Sequence, residues 1–233
     1  MRYRPPPELA ARVAARPVDP AVLSRVLAHA PGGVVVFDLD STLLDNRPRQ
    51  ARIMREFGAA HGHAPLLGAG PEHMQGWSIK LALHNAGLPE PEADVLARPA
   101  KAFWLERFFT SDYCVDDIAT LGAVAYVRAV LAAGGQVAYC TGRHLEMEQG
   151  TVACFAREGF PLPDGQRVHL LLKPTFQMHD DAWKELAYAR LRELGPVRAA
   201  FDNEPTHING YHLAFPEAQA VHLLTDESGR DVE

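Results

Sequence analysis

Cysteine is scarce in this chain of 233 residues. Only Cys114, Cys140 and Cys154 occur, and none has the close paired spacing of a metal site. An odd number does not suit a disulfide framework, so reduced, buried thiols are expected. Long apolar runs are also missing. The uncharged stretches fall far short of the ~20 residues that cross a bilayer, so no membrane partner is expected. The opening MRYRPPPELAARVAARPVD has arginines but no continuous apolar block behind them. It therefore makes a poor secretion signal, and the cytoplasm is the expected location. Basic runs are absent as well. Lys and Arg total 23 against 29 Asp and Glu, a formal charge of −6, so no nucleic-acid partner is expected. Apart from an Ala/Pro/Arg-rich start, no internal repeat or low-complexity tract stands out.

What is present is an alternation. Residues 1–18 read as a loosely held extension. DPAVLSRVLAHAPGG follows as a short helix, with Asp19 as candidate N-cap and Gly32 or Gly33 as its stop. Gly33–Leu39, GVVVFDL, is a continuous β-branched and aromatic run that suits a strand covered on both faces. Further strands are expected at Gln136–Cys140, Val168–Leu172, Arg198–Phe201 and Ala220–Leu224, with helical stretches between them. This pattern predicts an α/β fold with an open, Rossmann-like parallel sheet and right-handed crossovers.

The segment between Asp45 and Thr141 is far longer than the roughly 10–12 residues a crossover needs. Its surplus has helical patterning. Ile53, Phe57 and Ala60 share one face; Met74, Trp77 and Leu81 share another; Phe103, Trp104 and Phe108 form an aromatic cluster after Pro99. Residues 48–114 thus read as an inserted α-helical domain. Residues 30–47 and 115–233 form the core, and 1–29 an extension with a short helix. A helix from Ile118, stopped at Gly134 or Gly135, should lead back to the sheet. The aromatic stripe is better read as the insert's own core than as a pocket wall.

Two carboxylates, Asp38 and Asp40, stand where the first strand ends. Residues two apart on a strand point the same way, and the carboxyl edge of an open α/β sheet is where ligands bind. Like charges held so close repel, so either the strand simply ends in solvent or the pair holds a cation between them. At the second strand end stands CTGR, with Thr141 and Gly142, and at the fourth stands FDNEP, with Asp202.

On FDLDST, TGR, a lysine at a helix start and DNEP, the chain resembles the haloacid dehalogenase-like (HAD) hydrolase superfamily. The likeness is to its phosphatases with a helical cap after the first strand, and it covers about Gly33 to Leu224. The resemblance implies an HAD-like core and a Mg²⁺-dependent phosphatase acting on a small phosphorylated substrate. Asp38 would become an aspartyl phosphate, and Asp40 would protonate the leaving oxygen and then activate water. Mg²⁺ would bind the Asp38 side chain, the Asp40 carbonyl and the Asp202 side chain. Thr141 could donate to a phosphoryl oxygen, or instead make only a local turn bond. Ser41, Thr42, Gly142 and Arg143 are the expected substrate contacts, although Arg143 could equally be an exposed charge. Lys184 is preferred over Lys173 as the lysine of the site, at the start of a helix capped by Asp180 or Asp181. DNEP departs from the commoner family pattern, so Asn203 or Glu204 could stand in for a second aspartate. Asp45 is either part of a flap over the site or a helix cap. His61 and His63 read as loop histidines, and Gly68–Gly70 as a linker. The same residues would serve a phosphotransferase or phosphomutase. A phosphoacceptor signalling or binding module is disfavoured by the position of Asp38 on the first strand and by the large insert.

Overall fold

A computed structural model describes residues 19–226. The extension expected over residues 1–18 lies outside the described residues. In chain order the elements are α1 (Val22–His29), β1 (Val34–Phe37), β2 (Leu44–Asp45), α2 (Arg47–His61), α3 (Ile79–Asn85), α4 (Glu90–Phe108), α5 (Ser111–Cys114) and β3 (Ile118–Ala119). They continue with α6 (Ala123–Ala132), β4 (Gln136–His144), α7 (Glu148–Glu158), β5 (Val168–Lys173), α8 (Asp180–Leu194), β6 (Val197–Asp202), α9 (Pro205–Ala214) and β7 (Gln219–His222).

Five strands form one sheet in the order β5-β4-β1-β6-β7, and every pairing is parallel. The most apolar strand takes the centre. All four residues of β1 are buried, and their side chains alternate between two cores. Val35 and Phe37 pack with Val127, Val130 and Phe155 under α6 and α7. Val34 and Val36 pack with Tyr188, Leu191 and Tyr211 under α8 and α9. Each such side chain contributes roughly 1.5–3 kcal/mol by leaving water. In register, Phe37 lies between Tyr139 of β4 and Phe201 of β6. Asp38 and Asp202, the residues after Phe37 and Phe201, therefore lie side by side at the carboxyl edge, while β4 continues past Tyr139.

Several boundaries depart from the sequence reading. α1 is capped at Ala21, while the Asp19 carboxylate accepts the Ala21 N–H just ahead of the helix. β4 runs past Cys140 through Thr141, Gly142 and Arg143 to His144, because β5 keeps pairing alongside it at Leu172 and Lys173. Ile118 and Ala119 are not helical. They form β3, antiparallel to β2, and tie the two ends of the insert together. α6 starts only at Ala123.

The insert has its own apolar cluster, which includes Ile53, Met54, Phe57, Leu83, Trp104 and Phe108. Trp104 stacks on Phe108 at 4.3 Å, so the core of this cluster absorbs the stripe. Ala60 and Leu81 instead face solvent, and Met74 and Trp77 precede α3 rather than lying on it. Pro99 sits inside α4 without ending it. Where the insert rejoins the core, α5 and α7 meet at Gly150, at which a Cβ would fall 2.1 Å from the Ser111 carbonyl oxygen. No helix among the described residues is long and apolar enough to cross a membrane.

Candidate active site

Asp38 follows β1 directly and remains tied to the sheet, its N–H donating to the Phe201 carbonyl at 2.9 Å. Thr141 on β4 and Asp202, the last residue of β6, lie on either side. The three strand-end residues singled out from the sequence therefore meet at one edge, and all three are buried.

Lys184 joins them. Its ammonium donates to Asp38 Oδ1 at 2.8 Å, to Asp202 Oδ2 at 2.9 Å and to the Cys140 carbonyl at 2.6 Å. Lys173 is elsewhere, paired with Asp180 at 2.6 Å. The helix that carries Lys184 is capped by His179 rather than by Asp180 or Asp181. Lys184 stands just beyond the first turn, and the two carboxylates in front of it offset both its burial and the adverse helix dipole. Burial opposes the charge on Lys184, but Asp202 and Asp38 outweigh it and lift the ammonium well above its usual range. Among the carboxylates sharing it, burial pushes Asp38 up to about 7 against the pull of Lys184. Asp202 is also buried, but Lys184 and His207 hold it well below the usual range.

Asp40 has a different surrounding. Its Oδ1 accepts from Arg143 at 2.6 Å and from Arg49 at 2.8 Å, and its Oδ2 accepts from Arg143 at 3.1 Å. Both guanidiniums also reach Asp117, at 2.5 Å from Arg143 and 2.9 Å from Arg49. The result is a closed ring of two guanidiniums and two carboxylates. Arg49, Arg143 and Asp117 are fully buried, and only Asp40 is at the rim. Arg49 also lies over the Phe108 ring at 3.8 Å and donates to the Phe108 carbonyl. Burial alone would raise Asp40, but Arg143 and Arg49 hold it well below the usual carboxylate range. Arg143 is therefore neither exposed nor directed at solvent. On the extended β4 it turns inward.

The other expected contacts are less uniform. Thr141 Oγ1 accepts the Arg143 N–H at 3.2 Å, so the local turn bond is present and the hydroxyl proton remains to be donated. Trp183 fixes the Thr141 carbonyl at 2.8 Å. At Gly142 a Cβ would press on the Asp180 carboxylate at 3.1 Å. Ser41 has φ +61°, uncommon for a residue with a side chain, at the turn where the chain leaves the sheet. Thr42 is buried and donates to Asn203 Oδ1 at 3.2 Å, while Asn203 Nδ2 donates to the Asp226 carbonyl at 2.7 Å. Asp45 lies on β2 and accepts the Arg47 N–H at 3.0 Å, so it is both in the strand pair and ahead of α2. His61 closes α2, where its ring lies 4.5 Å from Phe57, and His63 approaches Glu92 at 3.2 Å.

Sequence reasoning missed Arg49, Asp117 and His207. His207 sits near the start of α9, with Nδ1 3.1 Å from Asp202 Oδ1 and Nε2 3.2 Å from Asp181 Oδ1. Burial would lower it, but Asp202 and Asp181 lift it to about 9.

The charges at rest are balanced by the chain itself, by Lys184 at Asp38 and by the guanidiniums at Asp40. The crowding of carboxylates therefore no longer requires a cation. The donor set nonetheless suits one. Asp38 and Asp202 come from adjacent strand ends, and although Asp38 Oδ1 and Asp202 Oδ2 converge on the Lys184 ammonium, carboxylate oxygens accept more than one partner, and a hard cation such as Mg²⁺ takes one or two carboxylates and keeps several waters. Among the described residues no group of three or more His, Cys, Asp or Glu side chains is arranged for a metal. The remaining ligands would be main-chain oxygen, water or substrate.

Comparisons with known proteins add the following. No family model and no curated protein matches the sequence. Solved structures are similar in fold. A class C acid phosphatase from Bacillus anthracis is 12% identical with a TM-score of 0.48, over 96% of this chain and 85% of the other. Protein Tyrosine Kinase A of Mycobacterium tuberculosis is 20% identical with a TM-score of 0.46, over 79% and 80%. A haloacid dehalogenase-like family hydrolase from Streptococcus pneumoniae is 10% identical with a TM-score of 0.44, over 78% and 80%.

Proposed function

We propose that this protein is a phosphatase of the HAD-like superfamily that hydrolyses a small phosphorylated molecule through an aspartyl phosphate on Asp38. The observation that carries the reading is the junction at Lys184: one buried ammonium holds Asp38, at the end of the central strand, and Asp202, at the end of its neighbour.

In the first step an Asp38 carboxylate oxygen attacks phosphorus, and the bond from phosphorus to the leaving oxygen breaks. Lys184 stabilises charge gathering on the phosphoryl oxygens, and the Thr141 hydroxyl donates to one of them. In the second step water attacks phosphorus, releasing phosphate and restoring the Asp38 carboxylate. Asp40 accepts the proton from that water and donates it to the leaving oxygen of the next turnover, and Arg49 and Arg143, which favour its ionised form, promote that donation. A Mg²⁺ ion held by Asp38 and Asp202 would neutralise phosphoryl charge. The helical insert reaches the centre through Arg49 and meets the core again where Phe109 touches Phe176 at 4.9 Å. A helical cap so placed suits a small substrate and keeps bulk water from the acyl phosphate.

The test is a panel of phosphorylated metabolites assayed with Mg²⁺ and with chelator, with Asp38→Asn as control. Phosphate release is expected only with the cation present and the native aspartate in place. Undiminished turnover in Asp38→Asn would remove Asp38 from its role.

A further inference from the structure

We propose that His207 is the positioning residue for the Asp202 carboxylate, and that it sets how tightly the centre holds a divalent cation. The inference rests on the reading of Asp38 and Asp202 as the cation-holding pair.

Asp202 ends its strand, so the sheet fixes its backbone but not the twist of its carboxylate. Three groups fix that twist. Oδ1 accepts the Glu204 N–H at 3.0 Å, Oδ2 accepts from Lys184 at 2.9 Å, and His207 Nδ1 lies 3.1 and 3.2 Å from the two oxygens. The histidine ring is fixed in turn. Its Nε2 forms an ion pair, without hydrogen-bond alignment, with Asp181 Oδ1 at 3.2 Å on the first turn of α8, and that oxygen also accepts from Thr206 Oγ1 at 2.9 Å. The ring is therefore clamped between carboxylates from two different elements, and it is buried. Asn203, beside Asp202 in sequence, is committed elsewhere, to Thr42 and the Asp226 carbonyl. Groups that orient a metal-binding carboxylate from behind commonly change metal affinity by ~10–100-fold when removed.

The experiment titrates Mn²⁺ into the native protein, His207→Ala, His207→Asn and Asp181→Asn, counting free ion by electron paramagnetic resonance. Circular dichroism checks the fold of each. His207→Ala is expected to weaken Mn²⁺ by ~10–100-fold. His207→Asn, which keeps a donor where Nδ1 stands, should stay close to native, and Asp181→Asn should fall between. A folded His207→Ala that binds Mn²⁺ like the native protein overturns the inference. So does a His207→Asn as weak as His207→Ala, since packing would then be the cause. If His207→Ala does not fold, His207→Asn and Asp181→Asn decide: Asp181→Asn binding as tightly as native overturns the clamp. A native protein that binds no Mn²⁺ overturns it too. Native binding without phosphate release from any ester would instead sink the phosphatase reading and leave the role of His207 standing.

Discussion

The ring formed by Asp40, Arg49, Asp117 and Arg143 makes a quantitative prediction about stability. Arg143→Met removes one guanidinium and leaves two carboxylates sharing Arg49. Asp117→Leu removes one carboxylate and leaves two buried guanidiniums facing Asp40. Breaking a buried pair from one side typically costs about 3–5 kcal/mol, because the remaining charge stays out of water. In a chain of this length that corresponds to a fall in Tm of roughly 6–20 °C, at about 2–4 °C per kcal/mol. The double variant Arg143→Met/Asp117→Leu is different. It leaves Arg49 and Asp40 as a balanced pair and fills the vacated space with apolar groups of similar size. It should lose less than the two single variants added together, with a coupling of roughly 1–3 kcal/mol. Urea denaturation of the four proteins gives the cycle, and added salt should change it little, because three of the four groups are fully buried. Strictly additive losses, or single variants as stable as native, would refute the reasoning.

Other outcomes follow from the same geometry. Lys184→Met should lower turnover by at least ~10²-fold, as the loss of a charge-stabilising donor does elsewhere, and native turnover in that variant would remove the lysine from the centre. Burial pushes Tyr126 up to about 12 and raises Tyr139 and Tyr188 further. Their folded values thus lie above the unfolded value near 10, so the unfolded chain loses these protons first and stability falls as pH rises past about 10. Phenolate absorbance of these residues should appear together with loss of circular dichroism, and clear ionisation before unfolding would contradict it. Gly150→Ala should cost about 1–3 kcal/mol by forcing α7 from Ser111, and an unchanged urea midpoint would show that the seam yields freely.

Much of the sheet was legible because its signals are local. VVVF suits a doubly covered strand, and Asp38, Thr141 and Asp202 marked the carboxyl edge, although β4 runs on past Thr141 to His144. Lys184 was legible for a similar reason, since a cation near a helix start needs acids in front of it. The ring around Asp40 was not legible. Asp40 and Arg143 are 103 residues apart, and Arg143 faces inward only because β4 continues past the expected turn. Arg49 is one of several arginines on α2, and nothing in the sequence sets it apart. His207 was within reach, a short step after Asp202 in FDNEPTH, but no pattern marked its ring as turned back toward the strand end.

The way the insert is fastened constrains how it can be exchanged. Arg49 travels with the helices, whereas Asp40 and Arg143 stay with the sheet, and Asp117 lies on the returning chain. A chimera that transplanted a foreign lid at the β2–β3 junction would arrive without its guanidinium and leave the native partners stranded. A working graft has to bring an arginine at the first seam and preserve the acid at the second.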